Sequence, residues 1–250
     1  MTAGESTKAA LVTGCFGDIG KALVKAFSEA GYSVIGTDIR SGNDELADAT
    51  IQLDLQRLVM DEDYRRDCIA AIRARIGERP FGALVNNAAT QRTGRLQELS
   101  SDAWLETYAV NVLAPAVLTA ELLPELTVAK GAVVNISSVH AILTKPGFAA
   151  YASSKAALNG LTRSLAIECG PDVRVNAVQP AAVDTAMLRA GFSDMEKLAE
   201  LDAYHPSGRI GLPAEVASVC VHLCSDQASF VTGAVVPIDG GIGGRLHDPV

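Results

Sequence analysis

The sequence predicts an α/β fold: a single domain over residues 1–250, built on a doubly wound (Rossmann) seven-stranded parallel sheet with helices on both faces. Short runs rich in Val, Ile and Ala alternate with longer helical patterns along the chain. Strands that are apolar on both faces, each followed by a helix, indicate a parallel sheet covered on both sides. No linker-like stretch rich in Ser, Gly or Pro divides the 250 residues, which favours one domain.

The predicted elements follow one another in regular alternation. The strands are residues 9–14, 32–38, 50–54, 82–88, 131–137, 173–180 and 233–241. The helical patterns cover about 18–30, 61–76, 101–123, the stretch from 147 to about 169, and residues from 213 onwards. Residues 186–207 mix apolar and charged side chains, as expected of a lid that closes over substrate. Ligands of such sheets bind at the carboxyl ends of the strands.

Composition narrows the functional classes. The net charge of −8 and the pI near 5.0 argue against nucleic acid or a membrane surface as partner. The N-terminus lacks the pattern of a secretory signal, and no apolar run reaches the roughly 18 residues needed to cross a bilayer, so a cytoplasmic location is expected. The five cysteines fit a reduced compartment. Cys220 and Cys224 share a helix face without a partner pair at zinc-site spacing, which favours buried thiols and no metal.

The stretch "TGCFGDIG" at 13–20 follows the first strand and opens the first helix. Glycines at 14, 17 and 20 let the backbone approach a pyrophosphate, and the helix N-terminus then points free N–H groups at it. Asp18 brings a carboxylate close to that group, which is unfavourable unless the side chain turns to solvent or caps the helix. Of these two alternatives we expect capping.

Asp38 ends the second strand about 20 residues beyond this turn. A carboxylate there accepts hydrogen bonds from both ribose hydroxyls of NAD, whereas the 2′-phosphate of NADP meets a like charge. Arg40 offers a charge that offsets this repulsion. The sequence therefore favours NAD as cofactor, with NADP as the lesser alternative.

Tyr151 and Lys155 lie four residues apart in a helical pattern, so their side chains share one face. An ammonium about 4 Å from a phenolate contributes about 4 kcal/mol at an effective dielectric of 20, which lowers a tyrosine pKa of about 10 by about three units. Such a tyrosine is a useful general base. Ordinary surface residues have the same spacing, so the pair alone does not decide the function.

Further motifs occur in a characteristic order. They are the Gly14 turn, "NNAA" at 86–89, Asn111, "NISS" at 135–138, "YASSK" at 151–155, "QPAAVDTAM" at 179–187 and "IDGG" at 238–241. With these motifs the chain resembles the short-chain dehydrogenase/reductase family in its compact branch. The resemblance implies that Tyr151 is the catalytic acid/base, that Lys155 lowers its pKa and holds the nicotinamide ribose, and that Ser138 orients the substrate oxygen. It also implies that Asn111 holds a water molecule that connects the lysine to solvent.

The resemblance extends to the cofactor. The implied binding residues are Gly14, Gly17, Asp18, Ile19 and Gly20 in the turn, Asp38, Asp54 and Leu55 near the adenosine, Asn86 and Ala88 at its ribose, Tyr151 and Lys155, and Val183 and Thr185 at the nicotinamide carboxamide. The sequence departs from the family pattern at Asp18, Ala89 and Ala181. An alanine at 181 is disfavoured if that position needs a positive φ.

Pro115 supports the role of Asn111 independently of the resemblance. Proline has no N–H, so the carbonyl four residues earlier, that of Asn111, lacks its helical partner. A free carbonyl can hold a water molecule.

The sequence leaves the substrate open. His140, two residues after Ser138, either contacts a polar substrate such as a sugar or polyol or is a solvated loop side chain. The leading hypothesis is an NAD-dependent oxidoreductase of an alcohol, sugar or polyol. The alternatives are a 3-oxoacyl thioester reductase and a dinucleotide-sensing protein without turnover. The resemblance also implies a homotetramer that pairs the 101–123 and 149–169 helices between subunits.

Overall fold

The computed structural model describes residues 7–190 and 195–245, and its centre is one parallel sheet of seven strands. The strands are β1 (Ala9–Thr13), β2 (Ser33–Asp38), β3 (Ala49–Gln52), β4 (Phe81–Asn86), β5 (Ala132–Ile136), β6 (Arg174–Pro180) and β7 (Val235–Ile238). Their order in the sheet is β3-β2-β1-β4-β5-β6-β7, and every neighbouring pair is parallel. The predicted fold class is confirmed.

Helices cover both faces of this sheet. They are α1 (Asp18–Glu29), α2 (Leu55–Met60), α3 (Glu62–Ile76), α4 (Ser101–Tyr108), α5 (Ala114–Glu121), α6 (Leu123–Ala129), α7 (Ala149–Glu168), α8 (Ala186–Ala190), α9 (Met195–Tyr204) and α10 (Pro213–Cys224). Along β1, Ala10 and Val12 contribute to the core shared with α1 and α10, whereas Ala9 and Leu11 contribute to the core on the opposite face. This two-sided burial explains the continuous apolar runs of the strands.

The predicted helix over 101–123 is broken, which corrects the sequence-based expectation. The α-helical geometry of α4 ends at Tyr108, residues 109–113 form a π-helical turn, and α5 begins at Ala114. Within the turn the Ala114 N–H donates to the Ala109 carbonyl, five residues back. Pro115 cannot donate a backbone hydrogen bond to the Asn111 carbonyl, and the change of register occurs where that bond is missing.

Two further boundaries differ from the prediction. The helix expected at 61–76 begins as α3 at residue 62, and a separate short helix, α2, precedes it. Asp61 lies between the two, and its carboxylate accepts the Tyr64 N–H at 3.0 Å and so starts α3. The connection to β5 contains α6, which the sequence reasoning did not anticipate.

All five cysteines are buried free thiols, as predicted. Within residues 7–190 and 195–245 no group of three or more His, Cys, Asp or Glu side chains is placed to hold a metal ion. In the same residues no single helix is long and apolar enough to cross a membrane. One bent pair of helical segments, Ser101–Glu121 with Leu123–Ala129, has the length and composition of a membrane span, but nothing else about it indicates one.

Candidate active site

The predicted site residues meet at the carboxyl edge of the sheet. Gly14 follows β1, Asp38 ends β2 and Asn86 ends β4, while Ser138 follows β5 and Thr185 follows β6. Because all seven strands run parallel, these ends lie on one edge. Helix α7 brings Tyr151 and Lys155 to the same edge from one face.

Ser138 and Tyr151, the predicted catalytic pair, lie side by side at this edge. The Ser138 Oγ accepts the backbone N–H of His140 at 3.2 Å. Burial raises the pKa of Tyr151 above its usual range, and a hydrogen bond with Ser138 opposes that rise. The net effect is a raised pKa of Tyr151.

Lys155 is 2 % exposed, and its ammonium donates to the Ile136 carbonyl at 2.7 Å. The Nζ atom lies 5.7 Å from the centre of the Tyr151 ring. Burial lowers the pKa of Lys155 from 10.5 to about 7 and raises the pKa of Tyr151, because burial acts against the charged form of each group. The predicted lowering of the Tyr151 pKa by Lys155 stays a prediction.

Asn111 joins the loop after β4 to α7. Its side-chain amide donates to the Thr90 carbonyl at 2.9 Å and to the Ser154 hydroxyl at 3.0 Å, and its Oδ1 accepts the Thr90 N–H at 2.9 Å. These hydrogen bonds give the Asn111 side chain a structural role. The Asn111 backbone carbonyl, in the π-helical turn before Pro115, remains the group that we expect to hold water.

The glycine turn is tightly packed. Gly14 has φ +66°, a value that L side chains rarely adopt, and a Cβ on Gly14 would lie 2.9 Å from the Ala88 Cα. A Cβ on Gly20 would lie 2.0 Å from the Gly14 carbonyl oxygen. The absence of side chains lets the turn press against α1, a geometry that fits a pyrophosphate at the helix N-terminus. Ile19, in the first turn of α1, packs against the core that α1 shares with α10.

Asp18 does not cap α1, which corrects the expectation. The N-cap residue is Gly17, and Asp18 is already the first helical residue, one position beyond the place from which a side chain caps. The Asp18 carboxylate instead accepts the N–H of Ala186 at 2.6 Å. It thus contacts the beginning of the segment that was expected to cover the substrate.

Asp38 is engaged by its own chain. Its carboxylate accepts the Phe16 N–H at 3.1 Å and the Arg40 N–H at 3.0 Å, and the Arg40 guanidinium donates to both oxygens at 3.0 and 3.3 Å. Burial opposes ionisation of Asp38, but these hydrogen bonds outweigh it and lower its pKa. Arg40 also lines a cavity of about 700 Å³, together with Phe16, Lys21 and Ser41.

Asn86 offers an unused acceptor to a bound ribose. Its Nδ2 donates to the Asn135 Oδ1 at 2.8 Å, and the Asn135 amide donates to the Thr162 hydroxyl on α7 at 2.9 Å. The Asn86 Oδ1 is buried and has no hydrogen-bond partner among the described residues. A buried acceptor requires a donor, and a ribose hydroxyl from a dinucleotide would supply it. The site therefore fits the cofactor that the sequence implies.

The remaining predicted contacts have visible structural roles. Asp54 caps α2 by accepting the Arg57 N–H at 3.1 Å, and Leu55 is buried beside it. The Ala88 N–H donates to the Thr13 hydroxyl at 3.0 Å, which ties the loop after β4 to β1.

The segment after β6 carries the residues expected at the nicotinamide. Val183 is buried and bridges to Gly211, and the Thr185 hydroxyl accepts the Leu188 N–H at 3.1 Å. Among the described residues Lys130 is the non-glycine residue with a positive φ, so Ala181 has an ordinary backbone. The departure from glycine at 181 therefore causes no strain.

His140 belongs to an aromatic group beside Tyr151. Its ring stacks on Phe148 with centres 4.5 Å apart and meets the Tyr151 ring edge-on at 5.8 Å. The Nδ1 atom of His140 lies 3.0 Å from the Thr144 hydroxyl. Burial, together with the nearby Lys145 ammonium, lowers the pKa of His140, which keeps the ring neutral at pH 7. His140 is thus half-buried, and its contact with a substrate stays a prediction.

Sequence reasoning missed several neighbours. Phe148 precedes Tyr151 by three residues, a spacing that places both near one face of the helix start and that could have indicated the contact. Ser154 lies inside the "YASSK" motif, yet its bond to Asn111 depends on the packing of α7 against the π-helical turn. Thr90 carried no recognisable signal.

Comparisons with known proteins agree with this geometry. The family model described as Enoyl-(Acyl carrier protein) reductase matches residues 14–243. Protein FixR of Bradyrhizobium diazoefficiens is 39% identical in an alignment 252 residues long. The alignment covers 94% of this chain and 86% of that protein. The chain belongs to the short-chain dehydrogenase/reductase family. It is thus related to dehydrogenases and reductases that act on alcohols and ketones.

Solved structures of this family share the fold. The ligand-free aldohexose dehydrogenase of Thermoplasma acidophilum superposes with a TM-score of 0.89 at 33% identity and covers 98% of this chain and 97% of that one. A 3-ketoacyl-(acyl-carrier-protein) reductase of Brucella melitensis complexed with NADH gives a TM-score of 0.84 at 26% identity, with 96% and 100% covered.

Proposed function

We propose that this short-chain dehydrogenase/reductase is an NAD-dependent enzyme that transfers a hydride between nicotinamide and a secondary alcohol or ketone of alcohol, sugar or polyol type. The observation that carries the proposal is the grouping of Ser138, Tyr151 and Lys155 at one buried edge, next to the glycine turn. Two further features support a polar substrate: the neutral ring of His140 stands beside Tyr151, and a structurally similar relative is an aldohexose dehydrogenase.

The roles of the side chains follow from their contacts. In alcohol oxidation Tyr151 would take the proton of the substrate hydroxyl. NAD, held by the glycine turn and Asp38, would supply the hydride acceptor for the same carbon. Ser138, whose hydroxyl lies beside Tyr151, would donate its hydroxyl hydrogen to the substrate oxygen. Lys155, when charged, favours the phenolate electrostatically. A water molecule held by the Asn111 carbonyl, in the π-helical turn, would carry the proton away.

The preference for NAD rests on Asp38. A 2′-phosphate would approach a carboxylate whose pKa is lowered and which therefore stays ionised. Arg40 reduces this discrimination because it pairs with Asp38. Asp38 would accept the ribose hydroxyls of NAD in place of Arg40, whose side chain also lines the adjacent cavity.

A spectrophotometric assay tests the proposal. Absorbance at 340 nm is followed with NAD and NADP over a panel of alcohols, sugars, polyols and their ketones. We expect turnover with NAD, and Tyr151→Phe should reduce it by at least about 100-fold, the contribution of a general base. Tyr32→Phe is the matched control, since Tyr32 precedes β2 at the opposite edge of the sheet and its hydroxyl contacts the Cys224 carbonyl. Equal activity of Tyr151→Phe and the parent enzyme would refute the assignment.

Reduction of a 3-oxoacyl thioester is the second candidate. The matching family model is described as an Enoyl-(Acyl carrier protein) reductase. The 3-ketoacyl-(acyl-carrier-protein) reductase of Brucella melitensis was solved with NADH, so a preference for NAD through Asp38 does not exclude thioester reduction. An acyl thioester in the same panel distinguishes the two. Cofactor binding without turnover on any substrate would instead indicate a dinucleotide sensor, which has no need of Ser138, Tyr151 and Lys155 together.

The proposed assembly is a homotetramer. Its subunits contact one another through α4 and α5, which cover the predicted 101–123 helix, and through α7. Leu105, Leu113 and Ile167 are exposed apolar side chains on or next to these helices, which supports burial against a second copy. Light scattering coupled to size exclusion measures the mass of the assembly directly.

A further inference from the structure

The Asp18 carboxylate connects two segments that are 168 residues apart in the chain. Asp18 is the first residue of α1, directly after the glycine turn, and Ala186 is the first residue of α8. The Ala186 N–H donates to the Asp18 Oδ2 at 2.6 Å. A hydrogen bond to a charged acceptor is about twice as strong as one between neutral groups. The contact therefore couples the turn expected at the pyrophosphate to the start of α8.

The segment around Thr185 is held from two sides. On one side Val183 bridges to Gly211, and the Asp184 N–H donates to the Gly211 carbonyl at 2.8 Å. Within the segment, Arg189 pairs with the Asp184 carboxylate through two bonds of 2.7 Å. On the other side the bond to Asp18 ties the residue directly after Thr185 to α1. The position of Thr185 thus depends on both anchors.

A carboxylate at position 18 has an electrostatic cost if a pyrophosphate binds at the turn, because like charges repel. The family pattern has glycine at this position, which avoids that cost. Asp18 is exposed, so solvent screens part of the repulsion. Its hydrogen bond with the Ala186 N–H is one that a glycine, which has no side chain, cannot make.

We propose that Asp18 is a positioning residue that holds Thr185 in place for the nicotinamide carboxamide. The inference rests on the proposed binding of NAD(H). It assigns Asp18 to the nicotinamide half of the cofactor, although in sequence it belongs to the pyrophosphate turn. Loss of the bond should therefore weaken a ligand that carries nicotinamide and spare one that does not.

Calorimetric titration of NADH and of ADP-ribose into the full chain tests this assignment. ADP-ribose has the adenosine and both phosphates but lacks nicotinamide. Asp18→Ala should weaken NADH about tenfold, the loss expected for one hydrogen bond to a charged group, while ADP-ribose binds equally well or more tightly because a negative charge has gone. Asp18→Asn keeps an acceptor oxygen and should recover most of the NADH affinity.

Ala186→Pro removes the same hydrogen bond from the donor side. Proline suits the first residue of a helix, since the N–H lost there has no partner within the helix. The double variant Asp18→Ala/Ala186→Pro should bind NADH no more weakly than the weaker single variant. The assignment is overturned if Asp18→Ala and Asp18→Asn behave alike, if both ligands lose affinity equally, or if the two substitutions are additive. A parent protein that binds neither ligand would refute the proposed cofactor itself, which is a different outcome.

Discussion

Replacing Lys155 with methionine should change how the stability of the cofactor-free protein depends on pH. The lysine is buried, and burial lowers its pKa to about 7, whereas the unfolded chain has the ordinary value of 10.5. Between pH 7 and pH 9 the unfolded chain keeps this proton while the folded chain releases it, so the folded state becomes relatively more stable as the pH rises. With these two pKa values the lysine contributes about 2 kcal/mol more to the free energy of unfolding at pH 9 than at pH 7.

Denaturant unfolding of both proteins at pH 7 and pH 9, without nicotinamide dinucleotide, measures this difference. The free energy of unfolding of the parent minus that of Lys155→Met should increase by about 2 kcal/mol between the two pH values. Burial also raises the pKa of thiols such as Cys220, which acts in the opposite direction, but both proteins contain the same cysteines and the subtraction removes their effect. Lys25→Met, at a largely exposed lysine, should follow the parent. Parallel pH dependence of the parent and Lys155→Met would show that Lys155 is not neutralised by burial.

Two other substitutions address the cofactor side of the site. Arg40→Gln should strengthen NAD binding by up to about fivefold. Asp38 is buried, but the Arg40 side chain that NAD must displace is 60% exposed, which keeps the ion pair near about 1 kcal/mol. The substitution should also weaken the binding of NADP; fluorescence titration gives both dissociation constants, and an unchanged ratio of the two would contradict this role of Arg40. Gly20→Ala should lower the free energy of unfolding by about 3 kcal/mol, as overpacking does, since the new Cβ would lie 2.0 Å from the Gly14 carbonyl oxygen. Gly17→Ala is its control because the nearest atom is 3.5 Å away, and similar melting temperatures for the two variants would disprove the steric explanation.

The strands were predictable because each is buried on both faces and therefore carries an uninterrupted apolar run. The breaks in the helices were not predictable, because the π-helical turn at 109–113 depends both on Pro115 and on packing against α7. The candidate catalytic residues were predicted from the order of several motifs, which the sequence displays directly. Contacts between distant segments are invisible in a sequence, and for that reason the partner of Asp18 was assigned wrongly.

The protonation and hydrogen bonding of the ionisable groups could not be predicted from the sequence either. The four-residue spacing placed Tyr151 and Lys155 correctly on one helix, yet the predicted effect of one charge on the other assumed partial exposure to water. Burial of the lysine reverses that assumption. Likewise, the Asp38 carboxylate was expected to be free for a ribose, but Arg40 and Phe16 already occupy it.

The hydrogen bonds that run from Asn86 through Asn135 to Thr162 have a mechanical consequence for α7. They hold this helix to the middle of the sheet about three turns beyond Tyr151, while Asn111 holds it near its beginning through Ser154. The helix that carries Tyr151 and Lys155 is therefore attached at two separate points, and neither attachment involves α9. We expect substitutions in α9 to alter what reaches the cleft without turning the phenol or the ammonium out of line.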